Sequence, residues 1–356
     1  MAQPGPLRGI RVLDITQMIA GPYCAMMLAD AGAEVIKIER PGVGDLTRQF
    51  GPFIERDGRR VSAYFMRFAR DKRSVTLNLG HPTGQELLRG LVRHADVLLE
   101  NFQPGTMERF GLGWPALREL NPRLVYATIS GFGHSDIYES PYWERMALDL
   151  VAQAYSGLMD LNGEPDGPPV VIPGAVGDVI PAMLTAYGVM LALWQRGATG
   201  QGQHVDVSMY DALTAVAERA VMVYGVTGEH MRRGERTLNA PYSVFRAKDG
   251  YIGIGALTQD QWRRLCAAMG RPDLLDLGRR RCAPTTIARC CGRSSRAGWP
   301  TRHRRKRRPS CWSTTCPARR SSAPATCSPA RTSPRGACCW TCRTGWAGRS
   351  SWSGGR

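Results

Sequence analysis

Residues 278–356 contain no aspartate or glutamate, and no leucine, valine, phenylalanine, tyrosine or methionine. Ordering a chain costs about 1–2 kcal/mol per residue, which only apolar burial can offset, and Ile287 is the single aliphatic core former in that stretch. The segment is therefore expected to be disordered. All 30 acidic residues of the 356-residue chain precede it, so the net charge of +17 arises there and the first 277 residues are near neutral. Nine of the 11 cysteines lie in it at irregular gaps, with one C-x-x-C (Cys339 to Cys342) and His303 as its only histidine, which excludes a zinc-finger pattern. "RHRRKRR" at 302–308 is a basic patch of the kind that meets nucleic acid or membrane. Yet Arg, Cys, Ser, Pro, Trp, Thr, Ala and Gly together are what a GC-rich gene yields out of frame. An aberrant, frameshifted tail is the expectation, and nucleic acid is not expected as a partner.

The body has equally telling gaps. Before residue 278 the only cysteines are Cys24 and Cys266, which excludes a disulfide framework and fits a reducing cytoplasm. "MAQPGPLRGIRVLDIT" lacks the apolar core and cleavage site of a signal peptide. The longest apolar stretch, 179–194, is interrupted by Pro181 and is shorter than the ~20 residues of a membrane span. A cytoplasmic location without a membrane partner is expected. "TQMIAGP" after the first strand is no G-x-G-x-x-G, and no G-x-S-x-G, Walker A or H-E-x-x-H occurs. These absences exclude the standard nicotinamide, hydrolase, phosphate-loop and zincin patterns.

What is present is alternation. "IRVLDIT" at 10–16 reads as a buried strand, "AGPYCAMMLADAG" as a helix with proline near its start and glycine at its end, and "AEVIKIERPG" as a second strand. The pattern recurs through strand 74–79, helix "PTGQELLRGLVRHA", strand 96–102, helix 113–120 and strand 124–130. Strands alternating with helices of this length predict an open, doubly wound parallel sheet, with ligands at the carboxyl ends of the strands. After an apolar helix over 179–194, "HVDVSM" and helix 209–224 follow, and "YIGIGAL" with "DQWRRLCAAMG" begins a smaller α/β unit that breaks off near Leu277. The predicted division is a large domain over 1–200, a linker helix and the start of a small domain over 201–277, and the tail over 278–356. Arg40, Lys72, Arg73 and Arg109 follow or precede strands, and such a basic set suits a ligand with several phosphates. Each alone reads equally well as a solvated surface charge.

Six stretches carry a resemblance: "GIRVLDITQMIAGPYCAMMLADAGAEVIKIERPGVGD", "DKRSVTLNL", "ADVLLENFQPGTMERFGLGW", "NPRLVYATISGFG", "LVAQAYSGLMDLNGEPDGPP" and "QRGATGQGQHVDVSMYDA". In this order, over residues 8–277, they resemble the class III coenzyme A transferases, the group of formyl-CoA and carnitine-CoA transferases and 2-methylacyl-CoA racemases. The resemblance implies a Rossmann-like large domain, a small domain that is incomplete here, and an interlocked homodimer. It implies coenzyme A as a thioester substrate, with no tightly bound cofactor and no metal, and an acyl-CoA and a small carboxylic acid as the partners. Its coenzyme contacts map to Gln17, Arg40, Lys72, Arg73, Asn101, Phe102, Gln103 and Arg109. Gln103 stands where the family usually has arginine, and Ile19 where formyl-CoA transferases carry glutamine, which argues against formate and oxalate.

In "PGAVGDVIPAML", residues 173–184, Asp178 sits between a glycine-containing loop and an apolar helix. Locally it reads as a helix cap. The resemblance makes it the catalytic nucleophile, which attacks the thioester and carries the coenzyme as an aspartyl thioester. Racemases of the group pair this aspartate with a histidine, and Leu148 in "ALDLVAQAYSG" stands in its place. Leucine moves no proton, and His134, fourteen residues away, reads as a surface histidine. Coenzyme A transfer is thus favoured over the racemase, and an inactive remnant left by the aberrant tail is the other alternative.

Overall fold

The computed structural model describes residues 5–134, 140–233, 242–247, 250–275, 326–329 and 340–343. Two compact units divide the chain, 1–235 and 236–356.

The first unit is a six-stranded, wholly parallel sheet in the order β5-β2-β1-β6-β7-β8. The strands are β1 (Arg11–Asp14), β2 (Glu34–Glu39), β5 (Lys72–Thr76), β6 (Val97–Glu100), β7 (Val125–Ser130) and β8 (His204–Ser208). Helices α1 (Ala20–Asp30), α3 (Pro82–Val92), α5 (Trp114–Leu120) and α8 (Val176–Thr199) provide the long crossovers. Side chains alternate across a strand, so a sheet covered on both faces must be apolar on both. Val12, Val97, Leu99, Val125 and Ala127 accordingly join α1, α8 and α9 (Met209–Val216) in one core. Leu13, Leu98 and Tyr126, one residue out of phase, meet α3 and α5 in the other.

The β-α-β alternation expected from the sequence is observed, with three local differences. A hairpin of β3 (Phe53–Arg56) and β4 (Arg59–Ser62) and a short helix α2 (Ala63–Ala69) lie before β5, where the sequence has no strong apolar period. The expected helix 209–224 is two, α9 and α10 (Glu218–Thr227), broken at Ala217. β8, α9 and α10 belong to the first unit, whereas the sequence reading puts them beyond a boundary at 200. Short helices α4 (Thr106–Arg109), α6 (Asp149–Tyr155) and α7 (Leu158–Leu161) complete this unit.

Helix α8 is long and apolar enough to cross a membrane by length and composition. Its packing is that of a crossover helix: it links β7 to β8, with Ala182, Ala186, Val189 and Ala192 in the core shared with α1. Gly200, at φ +74°, closes it with a left-handed cap.

In the second unit, β9 (Tyr242–Ala247) and β10 (Gly250–Gly255) pair antiparallel, and α11 (Gln259–Met269) opens with a Thr258–Gln261 capping box. Phe245, Trp262, Cys266 and Leu274 form its core. β11 (Thr326–Pro329) and β12 (Trp340–Arg343) form a second antiparallel pair. The expectation for the rest of 278–356 lies outside the described residues.

Candidate active site

The chain leaves β1 outward to β2 and β5, then returns to β6 on the other side of β1. Connections diverge there, and open parallel sheets bind ligands in the crevice so formed. A cleft of about 320 Å³ lies there, walled by Ile15 and Gln17 after β1, Ile38 and Glu39 at the end of β2 with Arg40 after it, and Phe102 after β6. Leu77, Asn78, Leu79 and Gly80 after β5, with Thr106 and Phe110, complete the wall. Arg40 is exposed, and among the described residues no carboxylate pairs with its guanidinium. That leaves a cation on the rim for an anionic ligand.

A buried ionic network supports this rim. Asp14, fully buried at the end of β1, accepts from Lys72 Nζ at 2.9 Å, has Lys37 Nζ at 3.8 Å, and accepts from the backbone and hydroxyl of Thr16. Burial raises the proton affinity of this carboxyl, but the two ammonium groups and the hydrogen bonds outweigh it and hold its pKa near 2. Lys37 also donates to the Thr16 carbonyl and lies 3.0 Å from Asp45 Oδ2. Glu39, bonded by Arg48, Ser74 and the Asp45 N–H, is likewise held at about 2 against its own burial. These contacts tie loop 15–18 and loop 40–50 to the sheet, and Met18 is held between them at φ +69°.

The expected coenzyme contacts separate on this frame. Gln17, Arg40 and Phe102 line the cleft. Arg109 is at its edge, donating to the hydroxyl of the wall residue Thr106 at 3.0 Å. Asn101 clamps the loop: its side chain accepts from the Gln17 N–H and donates to the Gln17 carbonyl, at 2.9 and 2.8 Å. Gln103 ties the same loop to residues 140–148 through the Glu144 carbonyl. Lys72 and Arg73 are elsewhere. They open β5 opposite Val35 and Ile36, whereas the cleft is lined by residues 77–80 beyond its far end. Lys72 is 2 % exposed and bonded to Asp14 and the Pro22 carbonyl, and Arg73 pairs with Glu34 on the surface. Residues 77–80, without charge, carry no sequence signal that would have marked them as cleft wall.

Because α8 runs back from β7 to β8, it begins at the same carboxyl edge of the sheet. Its N-cap is Ala175, at φ +54°, so the expected capping role of Asp178 is corrected: Asp178 is the third residue of the helix. No hydrogen bond reaches its half-buried carboxylate among the described residues. Burial, and then the negative charge of Asp149, push its pKa up to about 7. Asp149 approaches because residue 177 is glycine: a Cβ there would lie 2.8 Å from Asp149 Oδ1, which accepts the Gly177 N–H at 2.7 Å. Gly177, the second residue of the helix, thus makes room for a neighbouring acid. Gly174, at φ +99°, faces open space.

Beside the cleft, Glu100 is buried at the end of β6, and burial, with Glu108 and Asp206 nearby, raises its pKa to about 8. His134 is not the surface residue expected: its side chain is 10 % exposed, 3.7 Å from Glu108, and its N–H donates to Asp206. Leu148 is exposed immediately before Asp149.

The family model for CoA-transferase family III matches residues 7–299. A succinyl-CoA:mesaconate CoA-transferase of Haloarcula marismortui is 45% identical over 273 residues, covering 76% of this chain and 69% of that protein. A succinyl-CoA–D-citramalate CoA-transferase of Chloroflexus aurantiacus is 41% identical over 277 residues, covering 76% and 66%. A crystal structure of a CAIB/BAIF family protein from Brucella suis superposes with TM-score 0.69 at 36% identity, over 82% of this chain and 76% of that one. A hypothetical protein from Mycobacterium tuberculosis does so with TM-score 0.71 at 34% identity, over 84% and 79%. With the family model, these relatives and these solved structures each matching most of its length, the chain belongs to CoA-transferase family III.

Proposed function

We propose that the chain moves coenzyme A from an acyl-CoA donor to a carboxylic acid acceptor, with Asp178 as the covalent nucleophile. The observation that carries this is the Asp178 carboxylate itself: half-buried, without a hydrogen-bond partner among the described residues, and at the start of a long helix whose dipole favours an anion. A carboxylate oxygen of Asp178 attacks the thioester carbonyl carbon, the C–S bond breaks, and an acyl-aspartyl anhydride and a thiolate form. The thiolate attacks the aspartyl carbon and releases the first acid as its carboxylate. The acceptor carboxylate then attacks the aspartyl thioester, and the freed thiolate takes the acceptor's acyl carbon, returning Asp178 as it began. No electron or net proton is exchanged. In the first helical turn the Gly177 N–H is held by Asp149 and those of Asp178 and Val179 by the Ala175 carbonyl, so among the described residues the Val176 N–H is the one left for an oxyanion.

In this reading the coenzyme lies in the cleft, with Arg40 and Arg109 toward its phosphates and Gln17 and Phe102 against it. Asn101 and Gln103 shape the loop, and Lys72 and Arg73 take no part. Several relatives are named for succinyl-CoA with a second dicarboxylic acid, so succinyl-CoA with mesaconate or citramalate is the first pair to assay. Incubation with succinyl-CoA and hydroxylamine should leave a hydroxamate on Asp178, read as a mass change on its peptide. Absence of that adduct, with exchange undiminished in Asp178→Ala, would remove Asp178 from the mechanism.

A homodimer completes the proposal. Met183, Tyr187, Met190, Leu191 and Trp194 form one exposed apolar stripe on α8, with Trp194 84 % exposed, and Val221, Met222 and Tyr224 on α10 are also exposed. A contiguous exposed apolar stripe of this kind is what a protein–protein contact covers. A second copy is the occupant proposed. Cys24 and Cys266, buried and not joined in a disulfide, support a reducing compartment, which we take to be the cytoplasm.

A further inference from the structure

Gln153 is a polar side chain with no exposure, in a helix of the coenzyme-binding unit, and the chemistry proposed above does not use it. It makes three hydrogen bonds. Its Oε1 accepts from the Ile172 N–H at 2.8 Å, and its Nε2 donates to the Ile172 carbonyl at 3.0 Å. The side-chain amide thus pairs with one residue as a neighbouring strand would. Nε2 also donates, at 2.9 Å, to Asp149 Oδ1, the oxygen that accepts the Gly177 N–H. Ile172 and Gly177 bracket the turn Pro173–Val176, in which Gly174 and Ala175 both have positive φ. A non-glycine residue in that region is strained by about 1 kcal/mol or more, and such a turn persists only where its surroundings hold it.

We propose that Gln153 is a positioning residue for Asp178: by pinning Ile172 directly and Gly177 through Asp149, it holds the left-handed turn that delivers the carboxylate. The proposal rests on the nucleophile reading of Asp178. The elements packed on α8 carry further ionisable groups, Tyr23, Cys24 and Asp30 on α1, Tyr155 on α6, Tyr126 on β7, His204 and Asp206 on β8, and Tyr210 and Asp211 on α9. Burial and Asp149 are the two influences on the Asp178 carboxylate.

The test compares Gln153→Met and Gln153→Glu with wild type in succinyl-CoA exchange. Met fills the space without hydrogen bonds. The turn then loosens and admits water to the Asp178 carboxyl, which relieves its burial and lowers the pH at which it ionises. Ionised Glu keeps the bond from the Ile172 N–H but sets a second negative charge against Asp149 and the Ile172 carbonyl, which raises it. The acid limb of kcat should move down by about one pH unit in Gln153→Met and up in Gln153→Glu, with kcat reduced about 10²-fold in Gln153→Met and KM for succinyl-CoA within threefold. Limbs that stay at the wild-type pH in both variants, or a loss confined to KM, overturn the proposal. Should either variant fail to fold, amide exchange in the wild type decides: Ile172 and Gly177 are expected to be as protected as the sheet, and exchange at loop rates would refute the bracing. Hydroxylamine trapping on wild type runs alongside. An adduct with unmoved limbs sinks only the role of Gln153, whereas no adduct sinks the nucleophile.

Discussion

An ionised Asp178 destabilises the fold it serves. Burial and Asp149 raise its pKa from 3.8 to about 7, so the folded chain holds this proton more tightly than the unfolded chain does. The resulting stabilisation is complete below pH 4 and is lost as pH rises through about 7, a difference of about 2–4 kcal/mol. Replacing Asp178 with Asn should therefore raise Tm by several degrees at pH 8 and by less at pH 5, while exchange falls about 10³-fold or more. Equal Tm gains at both pH values, followed by calorimetry, would place the pKa elsewhere. Lys72 offers the opposite case. Its ammonium is sealed against Asp14, so Lys72→Met should cost about 3 kcal/mol, or roughly 6–12 °C in Tm, and leave coenzyme A affinity within twofold. A large affinity loss at unchanged Tm in a binding titration would return Lys72 to the ligand. From sequence alone the two roles look alike, because a basic residue beside a strand reads the same at either end of it.

Among the elements, the junction of α6 and α8 is where small shifts matter. A Cβ at residue 177 would lie 3.0 Å from both the Cα and the carbonyl oxygen of Asp149, so the helices must move apart to admit it. Gly177→Ala should lower kcat about 10²-fold, since misplacing a reacting group by about 1 Å has that effect. Gly174→Ala meets nothing within 4 Å and bears only the strain of its φ of +99°. Its expected loss is about 1–2 kcal/mol of stability and a smaller fall in kcat. Equal kcat losses in steady-state assays of the two variants would contradict the close-packing account. The strands and crossover helices were legible because each repeats a period of 2 or 3.6 over enough residues. The hairpin before β5 was not, since Arg56, Arg59 and Arg60 leave it little apolar period, and Gln153, inside "LVAQAYSG", is a single polar residue with no pattern that marks it.

At the scale of the whole molecule, the proposed dimer and the proposed coenzyme site use different surfaces, the apolar stripe on α8 and the cleft rim at Arg40. Tyr187→Asp with Trp194→Asp should shift the chain from dimer to monomer in sedimentation at micromolar concentration. Those exposed positions lie outside the core of the first unit, so its Tm should fall by only a few degrees. A chain already monomeric without these changes would end the dimer proposal.

The sequence by itself determined the parallel sheet, the two apolar faces, the family resemblance and the carboxylate at 178, because periodicity and local residue order are properties of the chain taken in line. Only the tertiary structure decided which of the candidate residues meet. Lys72 and Arg40 both flank strands, but one ends in a buried ion pair and the other on the cleft rim. Asp149, Gln153 and Asp178 come together because α6 and α8 pack across a glycine. Contacts between residues tens of positions apart depend on how strands are ordered and helices are packed, and no local pattern encodes that distance.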